Sequence, residues 1–218
     1  MTDGMGGEKG GEIASSIVSE LMPKCISAAL EGMDDPGTHD FITKVEQVVS
    51  DLSFAVFKAG NAKPELEGMG ATLTMALIRN SKALIVNIGD SRAYLVRSGR
   101  IEQVTKDHSV VQLLLDNGEI TQEEADKHPF RGQLLKCMGM RGYAVPDCFL
   151  IALNPKDKLL LCSDGLTDMV SNAKLWQILS SSKSTKKACE RLRDAANNAG
   201  GNDNITALVI EICAVNEP

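Results

Sequence analysis

The chain has 218 residues, 43% of them hydrophobic and 24% charged, an ordinary globular balance for which one domain is the default expectation. A formal net charge of -6 leaves no basic stripe to neutralise phosphates, which argues against nucleic acid or an anionic membrane surface as a partner. No apolar run approaches the roughly 18 residues of a membrane span. The opening MTDGMGGEKGGE also lacks the apolar centre of a signal peptide, so a cytoplasmic location is expected. Six cysteines, none spaced C-x-x-C and most inside apolar segments, read as buried reduced thiols rather than a disulfide framework.

Along the chain, Met1 to Gly11 is rich in glycine but fits no phosphate-cradling motif. Lys9 stands where a dinucleotide fingerprint needs its third glycine, no strand precedes the segment, and Gly-Lys-Ser/Thr is absent. Helical spacing of Ile13, Ile17, Leu21, Ile26, Ala29 and Leu30 predicts helix from Glu12 to Leu30, broken near Pro23. Thr38 to Ala59 predicts a second helix with Phe41, Val45, Val49, Leu52 and Val56 on one face, the two forming an outer layer. After a linker from Gly60 to Gly70 the period changes. Thr72 to Ile78, Lys82 to Ile88, Ala93 to Val96 and Ile101 to Val104 read as an antiparallel meander, with turn signals at Asn80-Ser81 and Ser98-Gly99.

Ser109 to Asn117 predicts a short helix stopped by Gly118, and Thr121 with Glu124 forms a capping box for another. Cys148 to Leu153 and Lys158 to Cys162 read as strands joined by a turn at Asn154-Pro155. Ser171 and Ser184 are candidate N-caps for two helices, the second ended by Gly200-Gly201, and Asn204 to Cys213 closes the chain as a strand. Helices first, strands in the middle and a mixed end predict an α+β fold rather than a doubly wound sheet.

The chemistry lies in the acids. In KLLLCSDGLTD, Lys158 to Asp168, an apolar strand ends abruptly at Asp164, and ALIVNIG likewise runs into Asp90. In mirror image, Asp203 precedes the apolar run ITALVIEI, while Asp3 sits in the glycine-rich opening. Asp90 alone could be an ordinary turn residue and Asp203 an Asx corner. Together, carboxylates at strand ends are poor core residues but good ligands for a hard divalent cation.

The ordered set DGMGG, IGDSR, TKDHS, CSDGLTD and GGNDNIT resembles the metal-dependent protein phosphatase family, the type 2C Ser/Thr phosphatases, and particularly its bacterial branch, over Thr2 to Ile212. The resemblance implies a four-layer α-β-β-α sandwich of two antiparallel sheets flanked by helices, with metals in a cleft at one end of the strands. It implies metal-dependent hydrolysis of phosphoserine and phosphothreonine in proteins, with Mn²⁺ or Mg²⁺ as two ions and a weaker third. Asp3 would bridge two ions, the Gly4 carbonyl would ligate one, Asp164 and Asp203 would hold the second, and Asp90 would contribute to the third. Asn117 to Gly132 would be a flap beside the cleft. The implied partners are phosphoproteins, including those of a Ser/Thr kinase, and the chain is expected to be a monomer unless a partner covers missing strands.

Metal-activated water needs no phosphoenzyme residue, so Ser163 and Cys162 are not expected to attack, and Cys162 is expected in the core. Ser91 and Arg92 are expected to stabilise the turn, and His108 to make a structural polar contact. The family pattern begins some tens of residues before DGMGG, a stretch that supplies the first strands of one sheet, a phosphate-binding Arg and an acidic motif completing the first metal site. Residues 1–218 are therefore expected to be a single phosphatase-like domain, N-terminally truncated relative to the family, with no strand leading into Asp3. Met5 stands where some relatives carry His, and Gly132 where bacterial relatives often carry Asn. The alternatives are a catalytically inactive binding or regulatory module, or an incomplete fragment of the enzyme. A Ca²⁺-binding structural domain finds no EF-hand spacing to support it.

Overall fold

The computed structural model describes residues 1–214. Strand β1 (Gly4–Met5) is followed by helices α1 (Glu8–Ala29) and α2 (His39–Asn61). Next come β2 (Gly70–Ala71), β3 (Leu73–Arg79), β4 (Lys82–Ile88), β5 (Arg92–Arg97) and β6 (Arg100–Gln103). Two short helices, α3 (Val110–Asp116) and α4 (Gln122–Ala125), precede β7 (Asp147–Ala152) and β8 (Lys158–Cys162). The chain closes with α5 (Asp164–Thr167), α6 (Asn172–Ser181), α7 (Thr185–Asn198) and β9 (Ala207–Glu211).

The expected meander is divided between two sheets. Strands β3-β4-β7 form one antiparallel sheet and β6-β5-β8-β9 the other. Both turn signals make tight hairpins: Asn80 and Ser81, and Ser98 and Gly99, all have positive φ, the primed geometry that matches strand twist. Between β4 and β5, however, Gly89, Asp90 and Ser91 carry the chain from one sheet to the other. Residues 153–157 make a second crossing, so β7 and β8 do not pair with each other.

Alternation along the central strands explains the layering. In β4, Leu84, Val86 and Ile88 face α1 and α2, whereas Ala83 and Ile85 face the opposite sheet. In β8, Leu159 and Leu161 meet that inter-sheet core while Leu160 and Cys162 lie against α5, α6 and α7. These strands are apolar on both faces, which is why their sequences run almost wholly apolar, Asn87 of β4 excepted. The result is the four-layer α-β-β-α sandwich implied by the resemblance.

Helix α1 departs from expectation at Pro23, which sits inside one continuous 22-residue helix. Ala14, Val18, Met22, Ile26 and Leu30, spaced four apart, form the buried stripe on both sides of the proline. Pro23 itself points to solvent, where water can satisfy the carbonyl that its missing N–H leaves free. Leu21, placed by sequence on the apolar face, is 40% exposed. The cysteines are all free, as expected, but only Cys162 is fully buried; Cys25 and Cys213 are exposed.

The glycine-rich opening is ordered. Met1 to Asp3 run beside Thr72 to Thr74, with Thr72 N–H donating to the Asp3 carbonyl at 2.7 Å and Thr74 N–H to that of Met1 at 3.0 Å. Residues 1–3 form no strand, so none leads into Asp3, but these hydrogen bonds hold the segment against the start of β3. β1 then pairs with β2, and the first turn of α1 crosses so closely that a Cβ on Gly11 would lie 2.8 Å from the Gly4 carbonyl carbon. Gly11→Ala is accordingly expected to destabilise the protein by about 1–3 kcal/mol, as overpacking does, read as a lower midpoint in urea unfolding.

Candidate metal centre

Asp164 owes its position to the abrupt end of β8. Ser163 closes the strand: its Oγ accepts the Thr206 N–H at 3.1 Å and donates to the Asn204 carbonyl at 3.2 Å. Asp164 then opens the one-turn helix α5, a helix that the sequence pattern did not announce. Gly165 lets the 203–204 loop come close, since a Cβ there would stand 2.3 Å from the Asn204 carbonyl oxygen. The Ser-Asp-Gly triplet thus ties the loop, displays the acid and makes room for Asp203. Asp203 is exposed, and its Oδ1 accepts the Asn204 N–H at 2.6 Å.

Asp3 joins these two from the other end of the chain. Its N–H donates to Thr72 Oγ1 at 3.0 Å, and Thr72 Oγ1 lies 2.8 Å from Ser91 Oγ, so one buried hydroxyl pair ties the Asp3 segment to the Asp90 crossing. Burial and the Asp203 charge push the Asp3 carboxyl above the usual range, opposed by hydrogen bonds with Asp164 and the Gly4 N–H. Asp164 is pushed up to about 6 by burial and by the charges of Asp3, Asp168 and Asp203. Asp90 reaches about 7 through burial and through repulsion from Asp164, Asp107 and Asp3. Crowded carboxyls that resist losing their protons lack a positive charge.

Of the residues singled out in the sequence, Asp3, Asp164 and Asp203 are brought together, Gly4 follows Asp3, and Asp90 faces Asp164 from the sheet crossing. Among the described residues, no three His, Cys, Asp or Glu side chains already close on one point as a metal cage. The donor set nevertheless fits a hard divalent ion. It is all oxygen, and Asp164 Oδ1 is a buried carboxylate atom with no hydrogen-bond partner.

The neighbouring residues divide into supports and a cover. Arg92 forms a forked ion pair with Asp107 (Nη2 to Oδ2, 2.6 Å), and its Nη1 donates to Tyr94 Oη at 3.3 Å, so its side chain braces the start of β5 against the loop after β6. Ser91 and His108 are likewise polar contacts. A cavity of about 390 Å³ opens beside Asp90 and Asp164, walled by Asp107, Asp168 and, from the flap, Arg131 and Gly132. Arg131 Nη2 lies 2.6 Å from Asp168 Oδ1, joining the flap to the turn after α5. Asp107, Asp147 and Asp168 were assigned no role from sequence. Asp107 and Asp168 lie within TKDHS and CSDGLTD, so their motifs were visible, but Asp147 carried no signal.

A family model described as protein phosphatase 2C matches residues 1–200. The chain belongs to that family. Serine/threonine phosphatase stp of Listeria innocua is 36% identical over 214 residues, covering 97% of this chain and 82% of the relative. The crystal structure of serine/threonine phosphatase Stp1 from Staphylococcus aureus superposes with a TM-score of 0.87 at 36% identity, covering 98% of this chain and 82% of that one. The catalytic domain of the serine threonine protein phosphatase PstP, in complex with two manganese ions, gives a TM-score of 0.78 at 33% identity, with 98% and 86% covered. The antiparallel sheets and flanking helices are those of the bacterial phosphatases.

The raised carboxyls set a pH dependence. Asp90 and Asp164 hold protons more tightly folded than unfolded, so stability falls as pH rises from the ordinary carboxylate value of about 4 through about 6 and about 7. Asp147 and Asp157, held low, contribute the opposite slope only on the acid side of that window. The metal-free protein is expected to melt at a lower temperature at pH 7.5 than at pH 5.5, with Asp90→Asn flattening the difference in calorimetric scans. Mn²⁺ is expected to raise the melting temperature at pH 7.5.

Proposed function

We propose that this chain hydrolyses phosphoserine and phosphothreonine in proteins, with Mn²⁺ or Mg²⁺ held by Asp3, the Gly4 carbonyl, Asp164 and Asp203, and more weakly by Asp90. The observation that carries this reading is the unpartnered Asp164 Oδ1, buried among the acids Asp3 and Asp203 at the end of β8. The two manganese ions of the PstP catalytic domain support a pair of ions here. When bound, such ions supply positive charge that lowers the pKa of water and neutralises phosphoryl oxygens.

The chain's own side chains frame the reaction. Phosphate monoesters hydrolyse extremely slowly without catalysis, and the two candidate nucleophiles next to Asp164, Cys162 and Ser163, are not free to attack one. Cys162 is fully buried with its thiol pushed up to about 12 by burial, and the Ser163 hydroxyl is occupied on both sides. The residues therefore collect charge and fix geometry while water attacks. The flap, closed onto Asp168 by Arg131, borders the cavity through which a phosphorylated segment would approach. The partners inferred are phosphoproteins of a Ser/Thr kinase, met in the cytoplasm by a single phosphatase domain. Among the described residues, no helix is long and apolar enough to cross a membrane.

The deciding experiment is hydrolysis of a phosphothreonine peptide with Mn²⁺, with and without EDTA. Turnover is expected with Mn²⁺ and lost with EDTA. Asp164→Ala and Asp203→Ala are each expected to lower it by more than about 100-fold, because groups that merely support metal ligands already cost 10–100-fold. Cys162→Ala keeps turnover. A folded chain without metal-dependent turnover would make it a binding or regulatory module instead.

A further inference from the structure

His108 stands directly behind Asp90. Its backbone N–H donates to the Gly89 carbonyl at 3.0 Å, and its Nδ1 accepts the Gly89 N–H at 3.2 Å. One residue therefore grips both backbone polar groups of the residue before Asp90. An Nδ1 that accepts carries no proton, so the ring proton sits on Nε2. Nε2 lies 3.2 Å from Asp147 Oδ2, off the line of a hydrogen bond, and Lys136 Nζ holds the other Asp147 oxygen at 3.3 Å. The His108 carbonyl accepts the Leu135 N–H at 2.7 Å, which fastens the same residue to the segment returning from the flap.

We propose that His108 is a positioning residue: through Nδ1 it sets the bend at Gly89 and thereby the aim of the Asp90 carboxylate toward an ion shared with Asp164. The inference rests on the reading of Asp90 as a ligand of the weaker ion. A histidine that only filled space, at 8% exposure, would not need its Nδ1 directed at a backbone amide. The residue joins two structures that must agree, its ring holding the sheet crossing that carries Asp90 and its backbone carbonyl holding the segment returning from the flap. Supports of this kind hold the orientation of a metal ligand without touching the metal.

The two ring nitrogens can be replaced separately. His108→Asn places an amide oxygen near Nδ1 and keeps an acceptor for Gly89; His108→Gln places its amide near Nε2 and abandons Gly89. Mn²⁺ binding is followed by calorimetry, and amide exchange at Gly89 by NMR in the metal-free protein. The unsubstituted protein is expected to show a binding event that Asp90→Ala removes. His108→Gln is expected to weaken that event by about 10–100-fold, to speed exchange at Gly89, and to leave intact the binding that survives Asp90→Ala. His108→Asn restores both readouts. If Asn and Gln weaken binding alike, or all binding weakens together with the melting temperature, the ring serves packing and the proposal is overturned. An unsubstituted protein lacking any Asp90-dependent event would remove Asp90 as a ligand, and the proposal with it. Independently of any variant, ¹⁵N NMR of the imidazole must find the Nε2–H tautomer, coupled across the hydrogen bond to Gly89; an Nδ1–H ring overturns the assignment.

Discussion

Burial of the central strands on both faces is the constraint from which the rest of the molecule follows. Ala83 and Ile85 of β4 meet Ala93 and Leu95 of β5 and Leu159 and Leu161 of β8 between the sheets, while the alternate residues meet helices. No carboxylate can stand unpaired in such a strand, because desolvating it costs several kcal/mol or more. Buried polar side chains in and beside these strands find partners: Thr74 donates to Asn87 at 2.6 Å, and Asp157, just before β8, receives Arg97 at 2.6 Å. Acids with work to do are displaced to the strand ends, and several strands ending on one side of a sandwich bring them together.

That logic explains what could be read from the sequence. The N-caps Thr121, Ser171 and Ser184 act through contacts three residues away, and all three cap helices as expected, while Ser109, read from sequence as the first helical residue, turns out to be the N-cap of α3. The hairpins at Asn80-Ser81 and Ser98-Gly99 are equally local. The apolar run around Ile88 says nothing about whether the next strand pairs with it or crosses to another sheet, so the meander was divided without a sequence signal. Pro23 broke the helix on local grounds, yet the buried stripe on either side holds it together, an instance of packing overriding propensity.

The site was legible in the same uneven way. Asp3, Asp90, Asp164 and Asp203 could be chosen because each interrupts an apolar or glycine-rich pattern. Asp168, though inside a visible motif, and Asp147 were not, since their roles come from partners far along the chain, Arg131 and His108. The chosen acids share a cost that pattern alone does not reveal. Burial first, and repulsion between the acids second, lifts Asp164 and Asp90 to about 6 and about 7, so the fold carries electrostatic strain at this cluster. Functional sites commonly sit at such locally unfavourable points, supported by stability elsewhere.

The two sheet crossings have a consequence for how the molecule is made. Each sheet joins strands from distant parts of the chain, β4 with β7 and β5 with β8, so neither can be completed from a contiguous half. Pairings of that kind require long loops to close first, which slows folding relative to local hairpins. The acids at positions 3, 90, 164 and 203 are scattered in the same way, and no early folding fragment holds them all. A chain still emerging from synthesis, or one cut between the crossings, has the strands and helices of the fold but not its charge cluster. The cluster exists only once the whole topology is closed, so its presence is a record that the chain folded intact.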